Sequence, residues 1–336
     1  MAISLSKSEK AYIQASIRAS PPLRADGRQL HDYRSVALET GVAPLANGSA
    51  RVNIGKDNDE ERGGTEIMAA AKLDVEDIER GEGVEGGRVT CTVSCSPSAY
   101  PHLTPPAIED LQNDYTILVH DVLAHPSLRP PNLTILPGRK SWLLALDLVV
   151  LSDSGNIYDA LFMAARAALW DTKVPRTRSV EYRMNKGKAT VGSSGDMDVD
   201  EEGQSGLDTR TAKAATDFEL EDYWDEGDPL GGRDAWPVCV TLNLLPPLHF
   251  LDANLAEEAA VPYRLLLMYA FPSKLPVRLQ GMRLIGPGEI DVAQIEALIE
   301  TAQKYALDLT TSLNAKLRDE EVRRTDKARQ KFASIR

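Results

Sequence analysis

The sequence has few cysteines and no long uninterrupted apolar run. Three cysteines occur in 336 residues, too few for a disulfide scaffold. No stretch of 18 or more uncharged apolar residues is present, and the first 20 residues lack the continuous apolar segment of a secretory signal. These absences predict a soluble intracellular protein without a membrane partner.

The sequence also lacks the P-loop pattern G-x-x-x-x-G-K-[ST] and the serine-hydrolase pattern G-x-S-x-G. Cys91 and Cys95 are four residues apart, a spacing that places both thiols on one face of a strand. No histidine pair at ligand spacing accompanies them. The pattern therefore favours buried structural thiols over zinc, and we predict neither a metal nor a cofactor.

Acidic residues are concentrated in one segment. The net charge is −12, but residues 193–228 alone hold 13 acidic and 2 basic residues. The remaining 300 residues carry 37 acidic and 36 basic side chains, which is close to neutral. Because the segment is also rich in Gly and Ser, we predict a largely disordered acidic insertion over residues 181–235.

Apolar periodicity predicts an α/β (α+β) protein in two units. A capping box at Ser6 and Glu9 begins a short helix within residues 1–22. Strands around 48–55, 65–75, 89–94 and 141–152, the last buried on both faces, alternate with helices near 108–122 and 157–170 in a first domain, residues 23–180. A second domain, residues 236–317, contains strands 237–245, 263–271 and 277–286 and a long helix. A charged tail, residues 318–336, follows.

The stretch "LRADGRQLHDYR", residues 23–34, places three arginines around an Asp-Gly turn. It is open to three interpretations: a catalytic centre, a nucleic-acid contact or a structural brace. Asp26 precedes Gly27, which tolerates a positive φ, so Arg24, Arg28 and Arg34 can donate charge-assisted hydrogen bonds to nearby carboxylates or carbonyls. A planar guanidinium with five donors suits a brace inside a fold or between subunits.

Two further groups of charged residues admit a chemical and an ordinary interpretation. Asp252, Glu257 and Glu258 in "LDANLAEEA" are potential Mg²⁺ ligands, but a solvated acidic loop is the more common use of such a segment. Arg129, Arg139 and Lys140 precede a buried strand and are candidate contacts to an RNA backbone. Ordinary solvated side chains are an equally good reading of these three bases.

Several motifs occur together in the order and spacing of a known family. The sequence resembles the RNase PH-like proteins over residues 20–180 and 236–315, and especially the non-catalytic ring subunits of the RNA exosome. The motifs are "LRADGRQLHDYR", "GSARVNIG", "DLVVLSDSGNIYDALFMAARAAL", "VPR" and "LDANLAEEA".

The resemblance implies an RNase PH-like fold of two related sheet-plus-helix units, the first similar to ribosomal protein S5 domain 2. Active members cleave RNA with inorganic phosphate, which an arginine beside a small hydroxyl residue holds. They also carry paired aspartates in the segment matching "LDANLAEEAAVPYRLLL". Here Asp252 is retained, but Val261 to Arg264 stand where the second aspartate is expected. A lone carboxylate lacks a partner for the chemistry, so we predict no catalytic residue.

The leading hypothesis is therefore a non-catalytic subunit of a six-membered ring through which single-stranded RNA passes. The resemblance implies other RNase PH-like subunits, S1/KH-type cap subunits and an associated exoribonuclease as partners, and a location in the nucleus, nucleolus and cytoplasm. The alternatives are an active phosphate-dependent 3′-to-5′ exoribonuclease and a stand-alone RNA-binding module. On this hypothesis Arg24, Asp26, Arg28 and Arg34 form a brace, and Arg28→Ala impairs folding or ring assembly without directly affecting cleavage.

Overall fold

The computed structural model describes residues 5–55, 64–180, 217–221, 227–272 and 275–334. Its first sheet contains six strands, mostly from the first half of the chain. In chain order they are β1 (Val36–Thr40), β2 (Gly48–Ile54), β3 (Thr65–Asp77), β4 (Arg88–Cys95), β5 (Thr134–Leu136) and β6 (Lys140–Ser152). The spatial order is β1-β2-β3-β6-β4, with β5 paired to β6. All pairs are antiparallel except β4 with β6.

Two helices accompany this sheet, α2 (Pro105–Leu123) and α3 (Ile157–Asp171), whereas the first helix, α1 (Lys7–Arg18), packs against residues 245–261 of the second unit. The predicted capping box of α1 is confirmed, since the Ser6 hydroxyl accepts from Glu9 N–H at 3.2 Å and Glu9 Oε2 accepts from Ser6 N–H at 2.7 Å. Pro105 and Pro106 occupy the first turn of α2, where a missing N–H costs nothing.

The second sheet is a four-stranded antiparallel sheet in the order β12-β11-β13-β14. Two short pairs, β7 with β10 and β8 with β9, precede it in the chain. The strands are β7 (Lys173–Val174), β8 (Thr177–Val180), β9 (Asp217–Leu220), β10 (Asp228–Pro229), β11 (Val238–Leu245), β12 (Leu248–Phe250), β13 (Tyr263–Ala270) and β14 (Arg278–Ile285). The helices α4 (Leu255–Ala260) and α5 (Val292–Ser334) complete the fold.

Helix α3 lies between the two units and is buried on nearly every side. From Ile157 to Trp170 only Tyr158 is more than slightly exposed, and the five alanines of this helix let β2, β3 and β11 approach closely. The buried side chains of both sheets and of α3 form one contiguous core. Helix α3 is therefore the element that joins the two predicted units.

The structure differs from the sequence predictions in three places. Strand β6 buries Trp142, Leu144, Leu146, Leu148 and Val150, while the alternate residues are half-buried, so one face of this strand and not both is fully buried. Strands β9 and β10 lie inside the predicted insertion, as do the described residues 230–235, and residues 181–216 and 222–226 of the insertion lie outside the described residues. Helix α5 continues through the predicted tail because no Gly or Pro interrupts residues 292–334.

Candidate functional site

The arginine-rich segment 23–34 lies against residues 251–258 of the second unit. Gly27 has φ +75°, and its N–H donates to the Arg24 carbonyl at 3.0 Å, which closes the predicted turn. The carboxylate of Asp26 accepts from Arg28 N–H at 3.2 Å and from Arg28 Nε at 2.6 Å. The turn thus sets the direction in which the Arg28 side chain leaves the backbone.

Arg24 and Glu257 form a buried ion pair between residues 233 positions apart. Arg24 Nε and Nη2 donate to the two carboxylate oxygens of Glu257 at 2.9 and 2.7 Å, and the side chains are 0% and 4% exposed. Arg24 also donates to the carbonyls of Leu251 and Asp252 at 3.1 and 2.7 Å. All three nitrogens of the guanidinium are therefore engaged by residues 251–257, which include the first turn of α4.

Asp252, the acid that the family resemblance singles out, is fully buried. Its carboxylate accepts from Arg28 Nη1 at 2.7 Å, Arg34 Nη2 at 2.8 Å and Asn156 Nδ2 at 3.0 Å. Burial acts to raise the pKa of Asp252, but the hydrogen bonds and charge of Arg34, with that of Arg28, outweigh it and lower the pKa. The expected solvated loop is wrong for Asp252 and Glu257, because arginines from residues 24–34 cover both carboxylates.

Glu258 pairs with Arg264 at the position where a second aspartate was expected. Arg264 Nη1 lies 2.7 Å from Glu258 Oε2, and Glu258 Oε1 accepts from Asn156 N–H at 2.8 Å. Burial raises the pKa of Glu258, and the attraction of Arg264 and the Asn156 N–H only partly oppose it. The two residues form an acid–base pair in place of two acids.

The amino end of α3 faces the same region, and carboxylates of this chain take the two backbone N–H groups directly before the helix. Asp153 Oδ1 accepts from Gly155 N–H at 2.9 Å, and Glu258 takes the N–H of Asn156, the residue preceding α3. Tyr100 donates to Asp153 Oδ2 at 2.8 Å. Because the positive end of a helix is where phosphate commonly binds, carboxylates placed there disfavour a second anion.

A second buried acid, Asp159, was not recognised in the sequence. It accepts from Tyr33 Oη at 3.0 Å and from Thr241 Oγ1 at 2.7 Å and so joins α3, the arginine-rich segment and β11. Burial raises the pKa of Asp159 from 3.8 to about 6, although these hydrogen bonds act to lower it. A single Asp within an apolar helix gives no sequence signal, since its partners lie 126 and 82 residues away.

The raised pKa of Asp159 predicts a pH-dependent stability. The folded state holds the Asp159 proton more tightly than the unfolded state does, so protonated Asp159 favours the fold. This contribution is complete below the unfolded-state pKa of 3.8 and is lost as the pH rises through the folded-state pKa of about 6. Asp159→Asn mimics the protonated acid. We expect it to remove up to about 3 kcal/mol of the change in unfolding free energy with pH. Urea unfolding from pH 4 to 8 measures it, with the exposed Asp74→Asn as a control that retains the wild-type slope.

The three bases proposed for RNA contact each have an intramolecular partner. Arg129 Nη1 donates to the Glu85 carbonyl at 3.1 Å, and Arg139 Nε lies 3.1 Å from Glu79 Oε1. Lys140 Nζ lies 3.0 Å from Asp217 Oδ1 and 5.4 Å from the centre of the Phe218 ring. Arg139 and Lys140 lie at the start of β6, where β3 ends and the loop to β4 begins. Their role in RNA binding stays a prediction.

Within the described residues, no group of three or more His, Cys, Asp or Glu side chains is arranged to hold a metal ion. The three cysteines are buried, and burial raises the pKa of Cys91 and Cys95 to about 12. One G-x-G-x-x-G sequence, Gly81 to Gly86, lies between strands β3 and β4. A dinucleotide site requires this pattern between a strand and a helix. No helix in the described part of the chain is long and apolar enough to cross a membrane.

The two sheet-plus-helix units with α3 between them define an RNase PH-type protein. The family model described as "3′ exoribonuclease family, domain 1" of RNase PH matches residues 32–175. An exosome complex component Rrp42 from Thermococcus gammatolerans is 31% identical over 291 residues, covering 85% of this chain and 87% of its own. The chain therefore belongs to the RNase PH family, which confirms the resemblance predicted from its motifs.

Other comparisons agree with this assignment. A Dictyostelium discoideum relative named as the exosome complex exonuclease RRP42 is 25% identical over 309 residues, covering 78% of this chain and 83% of its own. A chain of the Archaeoglobus fulgidus exosome, solved with RNA bound to the active site, superimposes with a TM-score of 0.62 at 19% identity, covering 92% and 97% of the two chains. An archaeal exosome core gives 0.59 at 19%, covering 91% and 96%. These superpositions confirm the predicted fold.

Proposed function

We propose that this chain is a non-catalytic ring subunit of the RNA exosome, which supports 3′-to-5′ RNA processing and degradation by shaping the RNA channel. The names of its relatives and its fold support the ring role. The proposed lack of catalysis rests on one observation. The Glu258–Arg264 pair lies beside the amino end of α3, where carboxylates take the backbone N–H groups of Gly155 and Asn156.

Two features of this arrangement support the proposed lack of catalysis. Arg264 belongs to the stretch 261–264, where a second aspartate is expected, and it is engaged by Glu258, which supports the loss of the acid pair that would manage the proton and the leaving group. Asp153 and Glu258 accept the backbone N–H groups of Gly155 and Asn156. Inorganic phosphate would meet two negative groups at the position where a helix terminus normally attracts it.

The enzyme alternative is tested by the release of nucleoside diphosphates from RNA at varied phosphate concentration. Asp252→Ala is a poor variant for this purpose, because its carboxylate holds Arg28 and Arg34 and its loss is expected to disturb the fold. The double variant Glu258→Gln/Arg264→Gln removes both charges together and leaves neither unpaired. We expect the assembly to release the same amount of product with this variant as with the unmodified chain. A loss of phosphate-dependent product in a folded variant assembly would overturn the non-catalytic proposal.

The proposed partners are other RNase PH-like subunits in a six-membered ring, S1/KH-type cap subunits, an associated exoribonuclease and single-stranded RNA. Exposed apolar side chains on the terminal strand β14, Leu279, Met282 and Leu284, are 40–50% exposed and support assembly with neighbours. Affinity purification is expected to recover five similar subunits. A well-behaved monomer with strong RNA affinity would favour the stand-alone module. Nuclear, nucleolar and cytoplasmic location belongs to the same proposal, and imaging of a tagged chain tests it.

The RNA contacts proposed for Arg129, Arg139 and Lys140 predict a change in salt dependence. Reversal of all three to Glu is expected to weaken RNA retention by the assembled ring and to reduce the logarithmic salt slope by about 0.7 for each lost phosphate contact. Filter binding at several salt concentrations measures both. The exposed triple variant Lys7→Glu/Lys10→Glu/Arg318→Glu carries the same charge change as a control. Equal behaviour of the two variants would assign the three bases to ordinary surface.

A further inference from the structure

A cavity of 380 Å³ lies between the two units, beside the Glu258–Arg264 pair. We call it the junction cavity; its walls come from the loop before α2, from α2, from the start of α3, from α4 and from β13. Its lining is mostly apolar, and it includes three tyrosines and three charged residues: Tyr100, Tyr115, Tyr158, Asp153, Glu258 and Arg264. Its volume falls within the roughly 300–1,000 Å³ of ordinary ligand sites.

The three tyrosines contribute aromatic surface to the lining. Tyr115 and Tyr158 pack edge to face, with ring centres 5.4 Å apart and planes at 88°. Tyr100 and Tyr115 are themselves buried, whereas Tyr158 is half-buried at the wall. Part of the wall is therefore aromatic, and an aromatic ring can stack on a flat or cationic group.

The charge of the cavity is negative by one unit. Asp153 and Glu258 contribute two carboxylates, and Arg264 contributes one guanidinium that already lies 2.7 Å from Glu258. Arg283 and Asp114 lie close enough to affect the pKa of Tyr158, but they are 4.0 Å from each other and cancel. His102 stands at the rim and is exposed. A ligand that carries phosphate is disfavoured by this balance.

The carboxylates retain capacity for further donors. An ionised carboxylate accepts about four hydrogen bonds. Asp153 accepts from Tyr100 Oη and Gly155 N–H, and Glu258 accepts from Asn156 N–H and pairs with Arg264. An apolar ligand would strip water from these oxygens without replacing its hydrogen bonds, which is costly. A ligand with several N–H donors and a positive charge meets the requirement.

We infer that the junction cavity receives an arginine side chain of a partner protein. A guanidinium is planar, stacks on tyrosine rings and donates bidentately to carboxylates, whereas a lysine ammonium lacks the planar surface. The inference rests on the proposed function in one respect: it requires that this cavity is not a binding site for inorganic phosphate.

The test uses the purified full chain and two small probes of the same shape. N-acetyl-arginine amide carries the guanidinium, and N-acetyl-citrulline amide replaces it with a neutral urea. We expect the arginine probe to bind at least about tenfold more tightly in a calorimetric or NMR titration, the factor that one charge-assisted hydrogen bond supplies. Equal binding of the two probes, or no binding of the arginine probe, would overturn the inference.

Matched variants locate the binding. Asp153→Asn keeps an oxygen for Gly155 N–H and removes one negative charge, so the arginine probe is expected to bind about tenfold more weakly. Asp121→Asn makes the same charge change on an exposed position of α2 outside the cavity and should leave binding unchanged. Tyr158→Leu retains every charge and removes one aromatic ring. We expect it to weaken binding of the arginine probe and to leave any binding of the citrulline probe nearly unaltered. Equal affinities of the Asp153 and Asp121 variants would place the binding elsewhere.

Inorganic phosphate separates failure of this inference from failure of the proposed function. We expect no phosphate binding that depends on Arg264, tested with Arg264→Gln in the same titration. Phosphate binding that this variant abolishes, with no arginine binding, would overturn both proposals. If neither probe binds and phosphate does not bind, the arginine site is overturned and the ring subunit proposal is unaffected.

Discussion

Asparagine at position 252 is expected to lower the free energy of unfolding by at least about 3 kcal/mol, the cost of removing one partner from a buried charge network. Asp252 is 0% exposed and engages Arg28, Arg34 and Asn156, so its neutralisation leaves two guanidiniums without their shared anion. The residue has φ +45°, a conformation that Asn tolerates and Ala does not, so the asparagine variant isolates the loss of charge from backbone strain.

Chemical denaturation at several pH values measures this effect. The pKa of Asp252 is lowered in the fold, so its contribution is present above pH 3.8 and is lost as the pH falls through the lowered value. The difference between wild type and Asp252→Asn should accordingly be largest near neutral pH and shrink in acid. The exposed Asp74→Asn is the control and should change stability by no more than about 0.5 kcal/mol. Similar values for the two variants would mean that Asp252 does not stabilise the fold through its arginines.

Arg24→Met is expected to lower the free energy of unfolding by about 3–5 kcal/mol, because Glu257 then stays buried with no opposing charge. The pair is closed from solvent, at 0% and 4% side-chain exposure, and Arg24 also serves the carbonyls of Leu251 and Asp252. The double variant Arg24→Met/Glu257→Gln should recover part of this loss, since it removes the unpaired carboxylate.

A double-mutant cycle of urea unfolding energies tests this recovery. Arg80→Met changes an arginine that is 76% exposed and should shift stability by about 0.5 kcal/mol or less. If the single and double variants lose the same free energy, then Glu257 finds another partner or water, and the cost comes from the lost carbonyl contacts alone. The brace predicted for residues 24–34 would then depend on backbone acceptors.

Local patterns were sufficient to predict most secondary structure. The alternation in residues 48–54 and 65–75 predicted the hairpin of β2 and β3, and the spacing of apolar residues predicted α2 and α3. The predicted boundaries of strands and helices were wrong in segments whose composition is acidic or highly charged. Residues 217–220 belong to an acidic stretch, yet they pair with β8, a contact that no local signal predicts. Helix α5 extends through a charged segment because charged residues are good helix formers.

The candidate site was predictable in part only, because its contacts are long-range. The arginine-rich segment could be proposed as a brace from residue chemistry, but its acceptors, Glu257 and Asp252, had been interpreted as solvated. The absence of an aspartate from residues 261–264 is visible in the sequence, whereas the pairing of Arg264 with Glu258 is not. Asp159 and the junction cavity arise only when α3 packs against both units, so no stretch of sequence contains them.

Helix α3 has a consequence for how the polypeptide must be made. A chain ending at residue 180 would leave the side of α3 that packs on β11 uncovered, and a chain starting at residue 227 would lack the surface on which β11 folds. Neither fragment holds a complete interior, so separately expressed halves should be insoluble or unfolded until mixed. During synthesis, α3 stays partly exposed after the first 180 residues are made, because the last third of the chain supplies the strand that covers it.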